Sequence, residues 1–349
     1  MNSCAPCARV TLEDYTPPMK YRKLGSSPFC VSCISFGAWQ LGDNAFWGDC
    51  DGADPDAAVG AAIDAGINLF DTAEVYGRGE SEVALGRALG RRRGDVLVAS
   101  KVAASNCRPQ DLRQSCEASL RRLGSEWIDL YQVHWPCKDV RYDDVAATLH
   151  TLRDEGKIRA IGVSNFGCRD LDQWPDTASL ASNQLAYNLL FRAIEFEIIG
   201  ACATRELGVI AYMPLMQGLL AGRWANGDDM PANRRRSRHF SSTRPRVLHG
   251  EPGCEELTFS TVSQLAELAG ELGISVADLS LAAVLAKPFV TSVITGSRRA
   301  DQVNRNVAAA GIELDRVTLQ RIDAITDPLK DELGPNADLW NAGDETRVR

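Results

Sequence analysis

Residues 128–164 decide the fold, and they read IDLYQVH-WPCKDVR-YDDVAATLHTLRD-EGKIR-AIGVS. Two short apolar runs, 128–134 and 160–164, flank a helix-like segment at 142–154. A strand, a helix and a second strand in this order predict a βαβ unit, in which a helix joins two parallel strands.

The same alternation runs from residue 34 to residue 308. Strands are predicted at 34–38, 67–71, 96–100, 128–134, 160–164, 181–184, 209–213 and 292–295. Helix-like segments cover 55–65, 80–89, Pro109–Leu123, 142–154 and 195–206, and 261–286 predicts two helices broken at Gly273. Eight such repeats with near-continuous apolar strands predict one α/β domain, a (β/α)8 TIM barrel.

Two insertions interrupt this rhythm. Residues 19–32 predict a β-hairpin ahead of the first barrel strand, suited to capping the barrel floor. Residues 223–259 form a long, polar, arginine-rich loop after the seventh strand, which predicts either a functional lid or a solvated loop. The predicted organisation is a flexible N-terminal leader at 1–19, the barrel at 20–330 and a C-terminal tail at 331–349.

The composition narrows the range of functions. The chain of 349 residues has a formal net charge of −8 and a pI near 5.2, which disfavours binding to nucleic acid or to an anionic membrane. No run reaches the ~20 apolar residues that a membrane span needs. The N-terminus has neither a signal-peptide core nor a transit-peptide composition, so we expect a cytoplasmic protein.

Eleven cysteines include two C-x-x-C pairs, Cys4/Cys7 and Cys30/Cys33, whose layout resembles a zinc ribbon. The second pair lies in a strand-like run, 29–36, where residues three apart face opposite sides of a sheet. We therefore expect reduced cysteines and no metal site.

Polar side chains follow the predicted strands at their carboxyl ends, where the active sites of TIM barrels lie. Asp71 ends the second strand with Tyr76 just beyond it, Lys101 follows the third strand, and His134 ends the fourth. The same rim carries four further polar residues, Ser164, Asn165, Gln184 and Tyr212. Each residue alone also fits a plain structural role, but four titratable groups on one rim predict a catalytic site.

These four groups suit protonation of a carbonyl oxygen. A phenol with a pKa near 10 is a poor acid at neutral pH, and a nearby ammonium group lowers that pKa by stabilising the phenolate. Asp71 can hold Lys101 charged and oriented beside Tyr76, and His134 can donate a hydrogen bond to the substrate oxygen.

The motifs around these residues resemble those of the aldo-keto reductase family. Phe70-Asp-Thr-Ala-Glu-Val-Tyr-Gly77, followed by Gly79-Glu-Ser-Glu82, resembles the signature around the catalytic aspartate and tyrosine, and Ser100-Lys101 resembles the lysine motif. The run 128–134 resembles the strand that delivers the histidine, and 152–166 resembles the stretch that ends in the cofactor-binding Ser-Asn pair. The match covers about residues 20–325 in the right order.

This resemblance implies NADPH-dependent reduction of an aldehyde or ketone. It makes Tyr76 the general acid, tuned by Asp71 and Lys101, and gives His134 the task of orienting the carbonyl. Ser164, Asn165 and Gln184 would bind the nicotinamide carboxamide, and Tyr212 would stack on the nicotinamide ring. The remaining implied cofactor contacts are Gly37, Trp39, Asp71, Pro214, Leu215, Gly218, Leu220, Gly296, Ser297, Arg298, Gln302 and Asn306.

The adenosine end and the substrate end of this site also have a physical basis. Ser297 and Arg298 precede a helix, whose free N–H groups favour a 2′-phosphate, and this favours NADPH over NADH. Trp39 and Trp135 match pocket positions of the family beside Tyr76 and His134, so we expect a small carbonyl substrate on an apolar or sugar-like frame. Met213 and Thr295 depart from the family pattern, but neither position holds a catalytic group.

The sequence disfavours two other enzyme classes and leaves two related functions open. A Rossmann dehydrogenase is disfavoured, because no G-x-G-x-x-G motif follows an early strand. A metal-dependent hydrolase is also disfavoured, because it would need clustered histidines and the chain has only 4 histidines in all. A cofactor-binding subunit of a membrane channel that senses redox state would keep the same fold and motifs. The same site could also oxidise a sugar or an alcohol. The sequence leaves the oligomeric state open.

Overall fold

The structure is a computed structural model that describes residues 19–48 and 50–349. The eight barrel strands are β3 (Ile34–Gly37), β4 (Leu69–Asp71), β5 (Leu97–Val102), β6 (Ile128–Val133), β7 (Ile158–Ser164), β8 (Leu180–Ala186), β9 (Gly208–Tyr212) and β10 (Val290–Gly296). They pair in parallel in chain order, and β10 closes the barrel against β3. An antiparallel hairpin of β1 (Tyr21–Lys23) and β2 (Cys30–Ser32) precedes them. The predicted (β/α)8 TIM barrel with an N-terminal hairpin is confirmed.

Helices follow the barrel strands, and the longer ones cover the outside of the barrel. They are α1 (Trp39–Gly42), α2 (Asn44–Trp47), α3 (Pro55–Asp64), α4 (Glu80–Leu89), α5 (Pro109–Leu123), α6 (Tyr142–Asp154), α7 (Cys168–Asp172), α8 (Ile198–Thr204), α9 (Glu255–Glu271), α10 (Val276–Ala286), α11 (Ala300–Ala309) and α12 (Arg316–Leu333). The break predicted near Gly273 separates α9 from α10, where Ser275 caps α10 in a capping box with Asp278. The apolar face of α5 packs inward, and Gly124 ends that helix at a φ of 59°.

Two apolar layers hold the fold together. The inner layer fills the barrel with small and branched side chains, including Leu69, Leu130 and Ile210, all buried. Leu24 and Val31 of the hairpin join this cluster, so the hairpin closes the floor of the barrel as predicted. The outer layer lies between the strands and the helices and forms the larger core.

The long loop after β9 is ordered by ion pairs. A 3₁₀ segment, Met216–Ala221, follows β9, and within 223–254 the loop contains one further 3₁₀ turn, Gly227–Asp229, and otherwise runs without regular structure to the start of α9. Arg244 pairs with Asp228 and Glu255, and Arg238 pairs with Glu251 at 2.8 Å. These contacts tie the loop to the N-terminal end of α9.

The segment after α12 returns over the carboxyl rim of the barrel. Arg347 makes a two-pronged ion pair with buried Asp338, with an Nη2–Oδ1 distance of 2.7 Å. Arg349 pairs with buried Asp170, just beyond β7. Helix α12 runs past residue 330, where the tail was predicted to begin.

Two further predictions concern membranes and metals. Among the described residues, no single helix is long and apolar enough to cross a membrane. Helices α9 and α10 together have that length and composition, but the pair is bent by 93°. No group of three metal-ligating side chains clusters within 19–48 and 50–349. Cys4 and Cys7 lie outside the described residues, and Cys30 is exposed whereas Cys33 is buried.

Candidate active site

The strand ends bring the four predicted catalytic residues together. Asp71 ends β4, Lys101 lies in β5, and His134 directly follows β6. Tyr76 opens a 3₁₀ turn in which Gly77 has a φ of 56°. A Cβ atom at Gly77 would meet the carbonyl oxygen of Gly42, so glycine alone fits this turn, which holds Tyr76 over the barrel.

A buried network surrounds Lys101. Its Nζ donates hydrogen bonds to Asp71 Oδ1 at 2.6 Å, to the Thr72 carbonyl oxygen at 2.8 Å and to the Tyr76 hydroxyl at 3.3 Å. Gln184 Nε2 donates to the other oxygen of Asp71 at 2.8 Å. Both oxygens of Asp71 are therefore engaged, and the ammonium group has three oxygen acceptors.

Burial sets the proton affinities in this site. It raises the pKa of Tyr76 well above 10.0, and the charge of Asp71 raises it further. The sequence predicts that the ammonium group lowers the pKa of this phenol, but in the structure that pKa is raised, because desolvation is the largest influence on it. Burial also lowers the pKa of Lys101 and, together with the charges of Lys101 and Arg347, lowers the pKa of His134 well below 6.5. Tyr76 is thus a protonated phenol and His134 a neutral imidazole at neutral pH.

A second network joins the ends of β7, β8 and β9. The Tyr212 hydroxyl donates to Asn165 Oδ1 at 2.8 Å, and Asn165 Nδ2 donates to the His134 carbonyl oxygen at 3.1 Å. Ser164 Oγ donates to the Gln184 carbonyl oxygen at 2.9 Å. The residues predicted to face a nicotinamide are therefore positioned by one another and by the strand that carries His134.

Most predicted site residues line one cavity of about 1320 Å³ at this rim. They are Gly37, Trp39, Asp71, Tyr76, His134, Trp135, Ser164, Asn165, Gln184, Tyr212, Pro214, Leu215, Gly218, Gly296, Arg298, Gln302 and Asn306. Lys101 lies behind Asp71, Leu220 is fully buried in the outer core, and Ser297 lies beneath the surface, where it accepts a hydrogen bond from Asn306 at 3.2 Å.

Aromatic rings form the wall next to Tyr76. Trp39 stacks on Tyr76 with 5.2 Å between ring centroids, and His134 meets Tyr76 edge-on at 5.5 Å. Phe46 stacks on the other side of Trp39 at 4.7 Å, and Trp47 packs edge-on against it at 5.1 Å. Trp47 also lines the cavity.

Sequence reasoning missed the contribution of the C-terminal segment. Trp340 and Arg347 line the cavity, and the Arg347 guanidinium lies 3.6 Å from the ring centroid of Trp135. These residues stand far from any strand end, so no local signal assigned them to the site. The loop arginines Arg234 and Arg236 also line the cavity, and the only sequence signal was the arginine run itself.

Known proteins are similar to this chain over most of its length. The model of the aldo/keto reductase family matches residues 33–327. The chain belongs to that family. This aldo/keto reductase is 30% identical to the "Probable voltage-gated potassium channel subunit beta" of Oryza sativa subsp. japonica, over 88% of its own length and 95% of that protein. It is also 30% identical to the "NADH-specific methylglyoxal reductase" of Escherichia coli (strain K12), over 85% and 95%.

A solved structure extends the likeness to a cofactor complex. A crystal structure of an aldo-keto reductase from Klebsiella pneumoniae in complex with NADPH superposes on this chain with a TM-score of 0.68 and 28% identity. The superposition covers 95% of this chain and 99% of that one.

Proposed function

We propose that this aldo/keto reductase reduces an aldehyde or ketone to an alcohol, with NADPH as the hydride donor and Tyr76 as the proton donor. One observation carries the proposal: the Tyr76 hydroxyl lies 3.3 Å from the ammonium group of a fully buried lysine, at the edge of a large aromatic cavity. A phenol and a buried cation in hydrogen-bond contact suit proton donation to an oxygen.

The proton step is supported by the electrostatics of the four residues. The raised pKa of Tyr76 keeps its proton on the phenol until a substrate oxygen accepts it. Lys101, held by Asp71, donates to the phenolate oxygen that remains and stabilises its charge. A neutral His134 can donate one N–H to the same substrate oxygen, which fixes its angle without competing for the proton.

The donor set at the other end of the cavity fits NADPH, which supplies the hydride when bound. Arg298 points its guanidinium to the Gly48 carbonyl oxygen at 2.6 Å, and within the described part of the chain it forms no ion pair. Arg223 and Arg234 line the same cavity, and the positive charges of Arg223 and Arg298 lower the pKa of Arg234. The amide Nε2 of Gln217 is buried at this cavity without a hydrogen-bond partner. Uncompensated cations and a free amide donor favour a phosphate-bearing cofactor.

The name of the rice relative keeps a second function open, that of a cofactor-binding subunit of a membrane channel. The intact network around Tyr76 favours turnover, since a binding role alone needs no proton donor. A single equivalent of NADPH oxidised per protein, with no further turnover on any carbonyl compound, would favour the binding role. Oxidation of alcohols by NADP⁺ at the same site would identify the reverse direction.

The test compares Tyr76→Phe with Tyr142→Phe, which removes a buried hydroxyl that bonds to Asp170 away from the cavity. We expect Tyr76→Phe to lower kcat for aldehydes by at least roughly 10²-fold, in the range typical of a lost general acid. NADPH affinity, read from quenching of Trp39 and Trp47 fluorescence, should stay close to that of the wild type in both variants. Wild-type turnover by Tyr76→Phe would remove Tyr76 from this role.

A further inference from the structure

The arginines of the loop after β9 divide into two groups. Three of them pair with carboxylates and do not line the cavity: Arg235 with Asp228, Arg238 with Glu251, and Arg244 with Glu255. The other four, Arg223, Arg234, Arg236 and Arg246, line the cavity, and within the described residues none of them has a carboxylate in ion-pair contact. The loop of an otherwise acidic chain thus directs its unneutralised cations into the cavity.

Arg236 belongs to the substrate side of that cavity. Its guanidinium lies 5.5 Å from the ring centroid of Phe46 and 5.5 Å from that of Trp340. Phe46 stacks on Trp39, and Trp39 stacks on Tyr76. Two stacked rings therefore separate Arg236 from the proposed proton donor. Arg234, in contrast, interacts with Arg298 at the end proposed for the cofactor phosphate.

The charges around Arg236 are unfavourable without an anion. Burial and the neighbouring charge of Arg246 both lower the pKa of Arg236. Another cation that lines the cavity, Arg347, is already paired with Asp338. A half-buried guanidinium beside another guanidinium loses hydration and gains repulsion, and a carboxylate or phosphate would compensate both through charge-assisted hydrogen bonds.

We propose that Arg236 and Arg246 bind an anionic group at the far end of the substrate, so that the preferred substrate class is a carbonyl compound that carries a carboxylate or a phosphate. This inference rests on the proposed reductase function. The carbonyl lies at Tyr76, an apolar frame lies along the aromatic wall, and the anion lies between the two arginines. Because the rings of Phe46 and Trp39 lie between Arg236 and Tyr76, the anion is remote from the carbonyl carbon rather than directly attached to it.

The experiment compares two substrates of the same frame, 4-formylbenzoate and its methyl ester, with NADPH as reductant. The variants are Arg236→Gln, Arg236→Gln/Arg246→Gln and, as the matched control, Arg235→Gln, which removes the neighbouring arginine that pairs outside the cavity. We expect the double variant to lose roughly ten- to a hundredfold in kcat/KM for the acid, as for a lost charged hydrogen bond. The ester and the KM for NADPH should not change, and the control should behave as the wild type.

Added salt and a phosphate substrate refine the result. Raising the ionic strength should lower kcat/KM for the acid in the wild type but not for the ester. A higher kcat/KM for 4-formylphenyl phosphate than for 4-formylbenzoate would assign the site to phosphate, and the reverse would assign it to carboxylate.

Other outcomes overturn the inference. Equal losses for acid and ester, or a loss of NADPH affinity in the double variant, would mean that these arginines serve the fold or the cofactor. If the wild type turns over neither compound, calorimetry with terephthalate tests the anion site independently of the reductase function. If the wild type binds terephthalate and the double variant does not, the proposed anion site stands. Equal binding of terephthalate by the wild type and the double variant would refute it.

Discussion

The substitution Asp71→Asn tests whether the buried ion pair is an electrostatic unit. Lys101 is fully buried, and Asp71 Oδ1 at 2.6 Å is its only anionic partner in direct contact among the described residues. In the variant, Lys101 keeps only the Thr72 carbonyl oxygen and the Tyr76 hydroxyl as acceptors. Loss of one partner of a buried pair costs about 3–5 kcal/mol, because the other charge stays buried without compensation.

This cost can be expressed as a melting temperature. With an unfolding entropy of about 2.1 cal/mol/K per residue, a chain of 349 residues loses roughly 1.4 °C per kcal/mol. We therefore expect scanning calorimetry at pH 7 to show a Tm lower by roughly 4–7 °C for Asp71→Asn. Glu155→Gln, which removes the exposed partner of Arg113, should leave Tm unchanged.

The difference in Tm between Asp71→Asn and the wild type should change with pH in a predictable direction. Burial already lowers the pKa of Lys101, and loss of Asp71 lowers it further. Between the folded pKa and the unfolded value near 10.4, the unfolded chain binds more protons, so stability rises with pH by up to about 1.4 kcal/mol per unit. The Tm difference from the wild type should therefore shrink between pH 7 and pH 9.5.

A double variant tests whether the loss of stability comes from the uncompensated charge of Lys101. Asp71→Asn/Lys101→Met removes both charges, and we expect it to recover most of the lost Tm while carbonyl reduction stays low. A Tm deficit that is equal at pH 7 and pH 9.5, with no recovery in the double variant, would refute the electrostatic reasoning. The deficit would then reflect packing or lost hydrogen bonds alone.

Two further predictions concern the cofactor and the fold. Arg298→Gln should raise the KM for NADPH by about ten- to a hundredfold and leave that for NADH almost unchanged, whereas Arg299→Gln, whose guanidinium pairs with Asp301, should alter neither. Equal effects of Arg298→Gln on the two cofactors would exclude a contact with the 2′-phosphate. Gly86→Ala places a Cβ atom against the Leu123 carbonyl oxygen where α4 meets α5, and this overpacking should cost about 1–3 kcal/mol in denaturant unfolding. The control Gly60→Ala faces open space in α3, so a loss of stability as large as that of Gly86→Ala would contradict the steric explanation.

The contacts of the loop after β9 and of the C-terminal segment could not be predicted from local sequence patterns. The predicted connection at 223–259 is irregular up to α9, but the partition of its arginines between carboxylates and the cavity appears only in three dimensions. In a loop without periodicity, the direction of a side chain depends on distant partners such as Glu251 and Glu255. The contact between Arg347 and Trp135 spans more than two hundred positions, and no local signal encodes such a pair.

The pattern of residues along the chain is enough to predict the barrel and the rim on which its polar residues meet. Apolar runs of strand length, alternating with amphipathic helices, allow one closed parallel sheet, and chemistry in such a sheet concentrates at the carboxyl ends of the strands. The tertiary structure alone decided the electrostatics of that rim. The pKa of Tyr76 is raised instead of lowered, because burial of the phenol, on which Trp39 stacks, and the charge of Asp71 both raise it. Desolvation depends on everything that packs around a group, and that environment comes from the whole fold rather than from the residues next to it in the chain.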